Sequence, residues 1–436
     1  MKKREKILLL TSTGGSGHLK AGEAKKAQLR REDPDRDIQV KEVNTDLFGC
    51  IVGPFLISLW NRAQKQGHTH LLEIYSQLER GHELVSFIPV FCRLFARLQR
   101  KNYSRIIDVQ PNYTLAIVKA IRFYNFLYRK NLYLERHFIE LPTEKATDYF
   151  RPIRRLRKRD RKLVELNVSL PPFVREGQSD KEFWHKHAKL PLEQIKRHPP
   201  LLRPAFENCK INVDEPLDLI ISVPNPIERL HIMQTIGRGF VPFKEKGEGI
   251  GITLSPEEKV ATMMLGSQPA RKATLQYINH FIELAFLSKE PITLFVFCAN
   301  QNNEDMPLIE KICKQVMKNP DHPANLTIIP MPYQSDEIVA PLYARSDVTI
   351  TRSGGTTSTE LIALARGKIW IHSERPLKKD PEVPLFKIWG MPRWEEGNAN
   401  YLKAKRGAEL ICTETFQLKC RTFFTAPLPE KILATL

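Results

Sequence analysis

Short apolar runs alternate with longer amphipathic stretches along most of this chain. Residues 7–10, Ile-Leu-Leu-Leu, read as a strand covered on both faces. A helix over 19–31 follows, closed by Asp33-Pro34-Asp35, and 38–40 reads as a second strand. Residues 105–109 and 137–141 read as later strands of the same sheet, with a helix over 113–127 between them. Another strand is expected at 217–223, ending in the turn Pro224-Asn225-Pro226. Residues 244–249 read as a linker, after which the pattern restarts. Strands at 259–265, 292–298, 326–329 and 347–350 alternate with helices at 273–287, 308–317, 338–344 and 361–366. This alternation predicts an α/β protein of two doubly wound, Rossmann-like domains, over 1–243 and 256–436. Ligands of such a pair are expected in the cleft between them, at strand C-termini, with the last residues packing back on the first domain.

Four stretches stand outside the alternation. Residues 48–60 and 87–98 mix apolar side chains with cations, which suits an anionic membrane interface. Buried helices carry the same pattern, so packing on the sheet is the favoured reading. In residues 151–162, eight of twelve side chains are cationic, as in a phosphate- or lipid-binding run or a solvated helix face. Residues 179–204, polar and rich in His and Pro, read as an insertion or flexible excursion.

The net charge of +18 changes the picture by implying a polyanionic partner: nucleic acid, an anionic membrane or a phosphorylated substrate. The seven cysteines form no Cys-x-x-Cys pair, which argues for a reducing compartment and against a zinc site or disulfide framework. The basic start before residues 7–10 resembles a signal sequence, but its apolar part is too short and Gly14-Gly15 follows at once. No apolar run approaches the ~20 residues of a membrane span, and no long repeat is visible.

Candidate chemistry lies in the loops. Thr351-Arg352-Ser353-Gly354-Gly355-Thr356-Thr357-Ser358-Thr359-Glu360 joins a short strand to a helix. Unpaired N–H groups and the helix dipole make such a junction an anion site, and Gly354 and Gly355 let backbone approach a phosphate. Glu360 is positioned to accept hydrogen bonds from a ribose diol. An ordinary Gly/Thr-rich turn has the same composition. Thr13-Gly14-Gly15-Ser16-Gly17-His18 is a second Gly-rich turn, with neither dinucleotide-fingerprint spacing nor a Walker Lys-Ser/Thr ending. Gly266-Ser267-Gln268-Pro269-Ala270-Arg271 is a third.

Taken together these loops resemble the GT-B glycosyltransferases of family 28, which include the lipid-II-forming N-acetylglucosaminyltransferase and the diacylglycerol galactosyl- and glucosyltransferases. The run from Tyr333-Gln334-Ser335-Asp336 through Asp347 and Arg352-Ser353-Gly354 to Glu360 and Gly367 is similar to the family signature in order and spacing. Leu265–Arg271 resembles its Gly-Gly-Ser-Gln-Gly-Ala-Arg turn with two glycines missing. Thr13–His18 resembles the lipid galactosyltransferase turn with one extra residue. Glu395-Glu396-Gly397-Asn398 resembles the segment after the ribose glutamate, with an apparent insertion at 376–392.

The resemblance implies inverting, metal-independent hexose or N-acetylhexosamine transfer from a UDP-sugar to a lipid acceptor. No cofactor or metal is expected beyond the UDP-sugar substrate. It implies His18 as the catalytic base or acceptor-positioning group. The donor would meet Gly14, Gly15, Gly17, Gly266, Ser267, Gln268, Arg271, Arg352, Ser353, Gly354, Gly355, Thr356, Thr357, Glu360, Glu396 and Asn398. An anionic membrane surface and a cytoplasmic location on its inner face are the expected setting, and nucleic acid is not expected as a partner. The alternatives are a GT-B protein that binds nucleotide-sugar or lipid without turnover, a UDP-N-acetylglucosamine epimerase, and a nucleic-acid binder. Against the last, the basic run has no interleaved aromatics.

Overall fold

A computed structural model of the chain describes residues 5–14, 16–174, 177–266, 268–288, 290–298, 306–375 and 390–424. The amino half builds a sheet from β1 (Lys6–Thr11), β2 (Asp37–Glu42), β3 (Arg105–Asp108), β4 (Leu134–His137), β5 (Val164–Val168) and β6 (Ile195–Arg197). Their spatial order is β2-β1-β3-β4-β5-β6, and every pairing is parallel. A small antiparallel sheet follows, from β7 (Leu217–Ser222), β8 (Phe243–Lys246) and β9 (Gly249–Leu254), in the order β7-β9-β8. The carboxyl half forms a second parallel sheet from β10 (Lys259–Met264), β11 (Ile292–Phe297), β12 (Leu326–Met331), β13 (Val348–Thr351), β14 (Lys368–His372) and β15 (Glu409–Ile411). Its order is β12-β11-β10-β13-β14-β15.

The chemistry of the runs explains these sheets. Ile7, Leu8, Leu9 and Leu10 are all fully buried, and all six positions of β11 and of β12 are buried. Parallel strands are covered by helices on both faces, so both alternating sets of side chains must be apolar. β7 instead alternates, burying Leu219 and Ile221 and exposing Asp218 and Ile220, as fits a sheet covered on one side.

The strand orders position the site. In each parallel sheet the order reverses beside its first strand, between β1 and β3 and between β10 and β13. Loops at such a reversal leave a crevice at the strand C-termini. The loop after β1 leads into helix α1 (Ser16–Glu32), and the loop after β13 into the helix Gly355–Leu364. The expectation of two doubly wound α/β domains facing across a cleft is met.

Several boundaries and connections differ from the sequence reading. Residues 244–249 form no linker: they belong to the hairpin β8–β9, with Gly247 in the left-handed region at its turn. The inner face of this small sheet joins the core of the second sheet, so that core begins well before residue 256. Residues 179–204 are no loose excursion. A capping box at Ser179 and Glu182 starts the helix Asp180–Ala188, and β6 completes the first sheet. The strand expected at 137–141 lies earlier, at β4, leaving 138–141 in the loop at the cleft.

The stretch between β2 and β3 is helical, with α2 (Val52–Lys65), α3 (Thr69–Gln77) and α4 (Glu79–Lys101) preceding α5 (Thr114–Tyr128) beyond β3. Residues 87–98 pack on the core along one face only. Val90, Leu94 and Leu98 are buried, while Ile88 is 71% exposed. The basic run 151–162 forms two short helices around Asp160, whose buried carboxylate accepts from Lys119 and Arg122 at 2.8 Å each. All seven cysteines are free, and no helix among the described residues is long and apolar enough to cross a membrane. The residues 376–389 and the chain end after 424 lie outside the described residues.

Candidate active site in the interdomain cleft

The turn after β1 reaches across to the turn after β13. Thr11 Oγ1 donates to the His18 carbonyl at 2.8 Å, and Ser12 Oγ accepts from Gly14 N–H at 3.3 Å. Ser16, Gly17 and His18 already lie in the first turn of α1, earlier than the helix start at 19 read from the pattern. Thr356 Oγ1 donates to the Gly17 carbonyl at 2.9 Å, a direct bond between the two turns.

His18 is fixed from behind. Its Nδ1 is 3.0 Å from the Val109 carbonyl in the loop after β3, and its Nε2 is 3.5 Å from Tyr149 Oη. A carbonyl only accepts, so Nδ1 carries the hydrogen of the neutral ring and Nε2 presents a lone pair. Burial lowers the His18 pKa to about 4, against the pull of the Val109 carbonyl and with a push from Arg136.

On the opposite wall, Arg352 makes a two-pronged pair with Glu395, its NH2 lying 3.0 Å from Oε1 and its Nε 3.2 Å from Oε2. Ser353 Oγ donates to the Glu395 carbonyl at 2.7 Å. Gly354 caps the helix Gly355–Leu364. Gly355 has to be glycine for a steric reason: a Cβ there would lie 2.4 Å from the Ile139 carbonyl oxygen and 2.7 Å from Glu140 Oε2. The Gly355 N–H donates to the Glu140 carboxylate. Glu360, deeper in the helix, is buried, and its Oε1 accepts from Arg203 Nε at 2.8 Å and NH2 at 2.7 Å. Arg203 also pairs with Asp336, which faces Lys20 at 3.9 Å. Burial raises the Glu360 pKa to about 7 although Arg203 opposes it. Asn398 ties the halves together. Its Oδ1 accepts from Leu141 N–H at 2.8 Å, and its Nδ2 donates to the Ser353 carbonyl at 2.8 Å and to Glu140.

Between these walls lies a cavity of about 200 Å³. Of the residues expected from the sequence it brings together Gly14, Gly17, His18, Gly266, Gln268, Arg352, Gly354, Gly355, Thr356, Thr357 and Glu360. Gly266 adopts φ +84°, a turn that favours glycine. Ser353 and Asn398 sit behind the wall rather than on it. Glu396 pairs with Lys145, and Arg271 opens the helix Arg271–Leu287; neither lines the cavity. Gly15 and Ser267 lie outside the described residues.

The same cavity is lined by Lys20, Trp60, Glu140, Tyr149, Arg203 and Trp394, none of which the sequence reading singled out. Trp60 and Trp394 stack across the two halves, 5.7 Å between ring centroids. A second cavity of about 120 Å³ shares Gly14, His18, Trp60, Tyr149 and Trp394 with the first, and adds Leu56, Ile57, Tyr75, Asn44 and His82 from the amino half. The arrangement presents a lone pair on one wall, backbone donors and cations on the other, and an aromatic-apolar annex beside them.

No protein-family model matches the chain, and no curated protein matches it. Among solved structures, the chain is similar to MurG of Acinetobacter baumannii at 12% identity and TM-score 0.46, over 99% of this chain and 93% of that one. Arabidopsis thaliana UGT89C1 complexed with UDP is similar at 9% identity and TM-score 0.46, over 98% and 92%. A putative UDP-N-acetylglucosamine 2-epimerase from Listeria monocytogenes is similar at 9% identity and TM-score 0.43, over 99% and 94%. The two-domain architecture itself stands on the observed strand orders.

Proposed function

We propose that the chain is a glycosyltransferase that moves a hexose or N-acetylhexosamine from a UDP-sugar to a lipid or lipid-linked hydroxyl, with inversion and without a metal. The observation that carries this reading is the convergence of the two reversal points on one cavity, the His18 turn bonded directly to the turn of Gly354–Thr356. Helix N–H groups and the cations Lys20 and Arg203 suit a diphosphate. The free oxygen of Glu360 suits a ribose hydroxyl, and Gln268 lies within the same wall. The Nε2 lone pair of His18 takes the acceptor proton as the acceptor oxygen attacks the sugar carbon. Fixed donors on the opposite wall stabilise the departing diphosphate.

The aromatic-apolar annex supports an acceptor bound from the amino half. Beside it, Ile51, Val52, Phe55 and Leu59 of the α2 region are exposed, with Arg62 and Lys65 in the last turn of α2. Apolar side chains flanked by cations suit an anionic membrane surface, where a lipid acceptor resides. The working location would then be the cytoplasmic face of such a membrane.

The test is calorimetric titration of the purified chain with UDP, GDP and dTDP, followed by UDP release from a panel of UDP-sugars. Selective UDP binding is expected. His18→Ala should abolish transfer while leaving UDP affinity intact. Equal affinity for all three nucleotides, or undiminished turnover in His18→Ala, would overturn the proposal.

A further inference from the structure

Tyr149 and Glu140 lie beside His18 and take no part in the transfer proposed above. Tyr149 comes from the short helix Ala146–Phe150, and Glu140 from the loop after β4. Both line the main cavity together with His18. Tyr149 Oη lies 3.5 Å from His18 Nε2; Tyr149 also holds the Glu140 pKa down while Glu140 pushes that of Tyr149 up, as a hydroxyl donating to a carboxylate does. On its far side that carboxylate accepts from Asn398 Nδ2 and from the Gly355 N–H. The carboxylate is therefore held on three sides, and its link to His18 runs through one hydroxyl.

We propose that Tyr149 and Glu140 complete a chain of side chains with His18 that steadies the positive charge arising on the imidazole during transfer, Tyr149 as positioning residue and Glu140 as counter-charge. The inference rests on the transferase reading of the cleft. The acceptor hydroxyl gives its proton to His18 Nε2, and its oxygen forms the new bond to the sugar carbon. The bond from that carbon to the diphosphate breaks, and its electron pair leaves with UDP. The new Nε2–H donates to Tyr149 Oη, whose own hydrogen already points to Glu140. The imidazolium returns its proton to solvent after the products leave. The task resembles that of any third group that orients a catalytic base.

The charges around the chain give it a pH signature. Burial raises the Glu140 pKa to about 7, helped by the like charge of Glu395 and opposed by Asn398, Tyr149 and the Gly355 N–H. Glu395 is itself held by Arg352, and Arg136 faces His18 from β4. His18 titrates at about 4. Between these values the base is free but its counter-charge is absent. Above the upper one both groups are in the working form. The acid limb of turnover should therefore follow Glu140 and not His18.

The experiment labels the twelve histidines of the full chain with ¹³C at Cε1 and assigns His18 by the signal lost in His18→Ala. In the native chain the His18 signal should show an inflection near the Glu140 pKa, smaller in Tyr149→Phe and absent in Glu140→Gln. No inflection in the native chain, or one that persists in Glu140→Gln, overturns the proposal. UDP release from UDP-glucose, UDP-galactose and UDP-N-acetylglucosamine, with water as acceptor, supplies the second readout. Glu140→Gln should lower kcat at alkaline pH roughly tenfold, move the acid limb down by about a unit or more, and leave KM within about twofold. A loss that is uniform across pH, with the limb unmoved, marks a purely structural role and overturns the proposal. Calorimetry separates the two claims: a native chain that does not bind UDP ends the transferase reading, while the histidine titration still decides the chain of side chains.

Discussion

At the scale of single residues, the buried charges of the cleft depend on a few shared partners. Arg203 is the sharpest case, since it serves both Glu360 and Asp336 and stacks over Phe206 at 4.3 Å. Arg203→Ala leaves Glu360 buried without a cation. Breaking such a pair costs up to about 3–5 kcal/mol. We expect a lower denaturation midpoint and weaker UDP binding by calorimetry, with Arg203→Lys only partly restoring either because its point charge cannot copy the fork. The same burial sets a pH dependence. Glu140 and Glu360 have native pKa values raised to about 7. A carboxyl whose native pKa exceeds its unfolded value binds the extra proton in the folded state, so its contribution is present at low pH and is lost as pH rises to about 7. His18, lowered to about 4, has the opposite sign: its penalty falls away as pH rises toward its unfolded value. Thermal melts of Glu140→Gln should therefore lose less stability between about pH 5 and pH 8 than the native chain does.

At the scale of elements, the helix Gly355–Leu364 shows how much of the site was legible. Its existence was read from the pattern, but its start was put at 361, and the close approach that Gly355 allows here is to Ile139 and Glu140 of the other half. Gly-Thr-Thr-Ser-Thr is a poor helix former in isolation. Contacts that no local pattern encodes, to Ile139, Glu140 and Gly17 of the other domain, stabilise its first turn. The close approach gives a paired prediction. Gly355→Ala should force the walls apart and cost about 1–3 kcal/mol in denaturant titration. Gly354→Ala, where nothing lies within 4 Å of the added carbon, should cost only the weaker N-cap, about 0.5–1 kcal/mol, and leave the walls in place. β4 was read three residues late for a related reason. Its charged Glu135 and Arg136 hide a fully buried strand, because Arg105 and Asp108 of the neighbouring strand neutralise them at 2.7 and 2.9 Å. Cross-strand pairing is invisible to a pattern read along one strand.

At the scale of the whole molecule, apolar side chains on the outer surface of the amino half remain uncovered. Phe55 of α2 and Ile88 of α4 are 67% and 71% exposed, beside a chain of net charge +18. If this side meets an anionic membrane, Phe55→Asp with Ile88→Asp should cut flotation with phosphatidylglycerol vesicles by roughly tenfold or more while UDP affinity stays unchanged. Unchanged flotation would remove the membrane from the proposal. The chain's own order of apolar runs and turns determined two doubly wound sheets and the loops at their reversal points, because burial on both faces leaves a periodic mark in the sequence. It also determined that His18, Gly354 and Glu360 belong to loops or helix starts at strand ends. What only the tertiary structure decided is which groups close on them. Arg203, Tyr149 and Glu140 lie far from these residues along the chain or carry no local signature. They meet only because the parallel crossovers and the domain contact fold distant segments onto one cavity, and a contact between distant segments has no period to read.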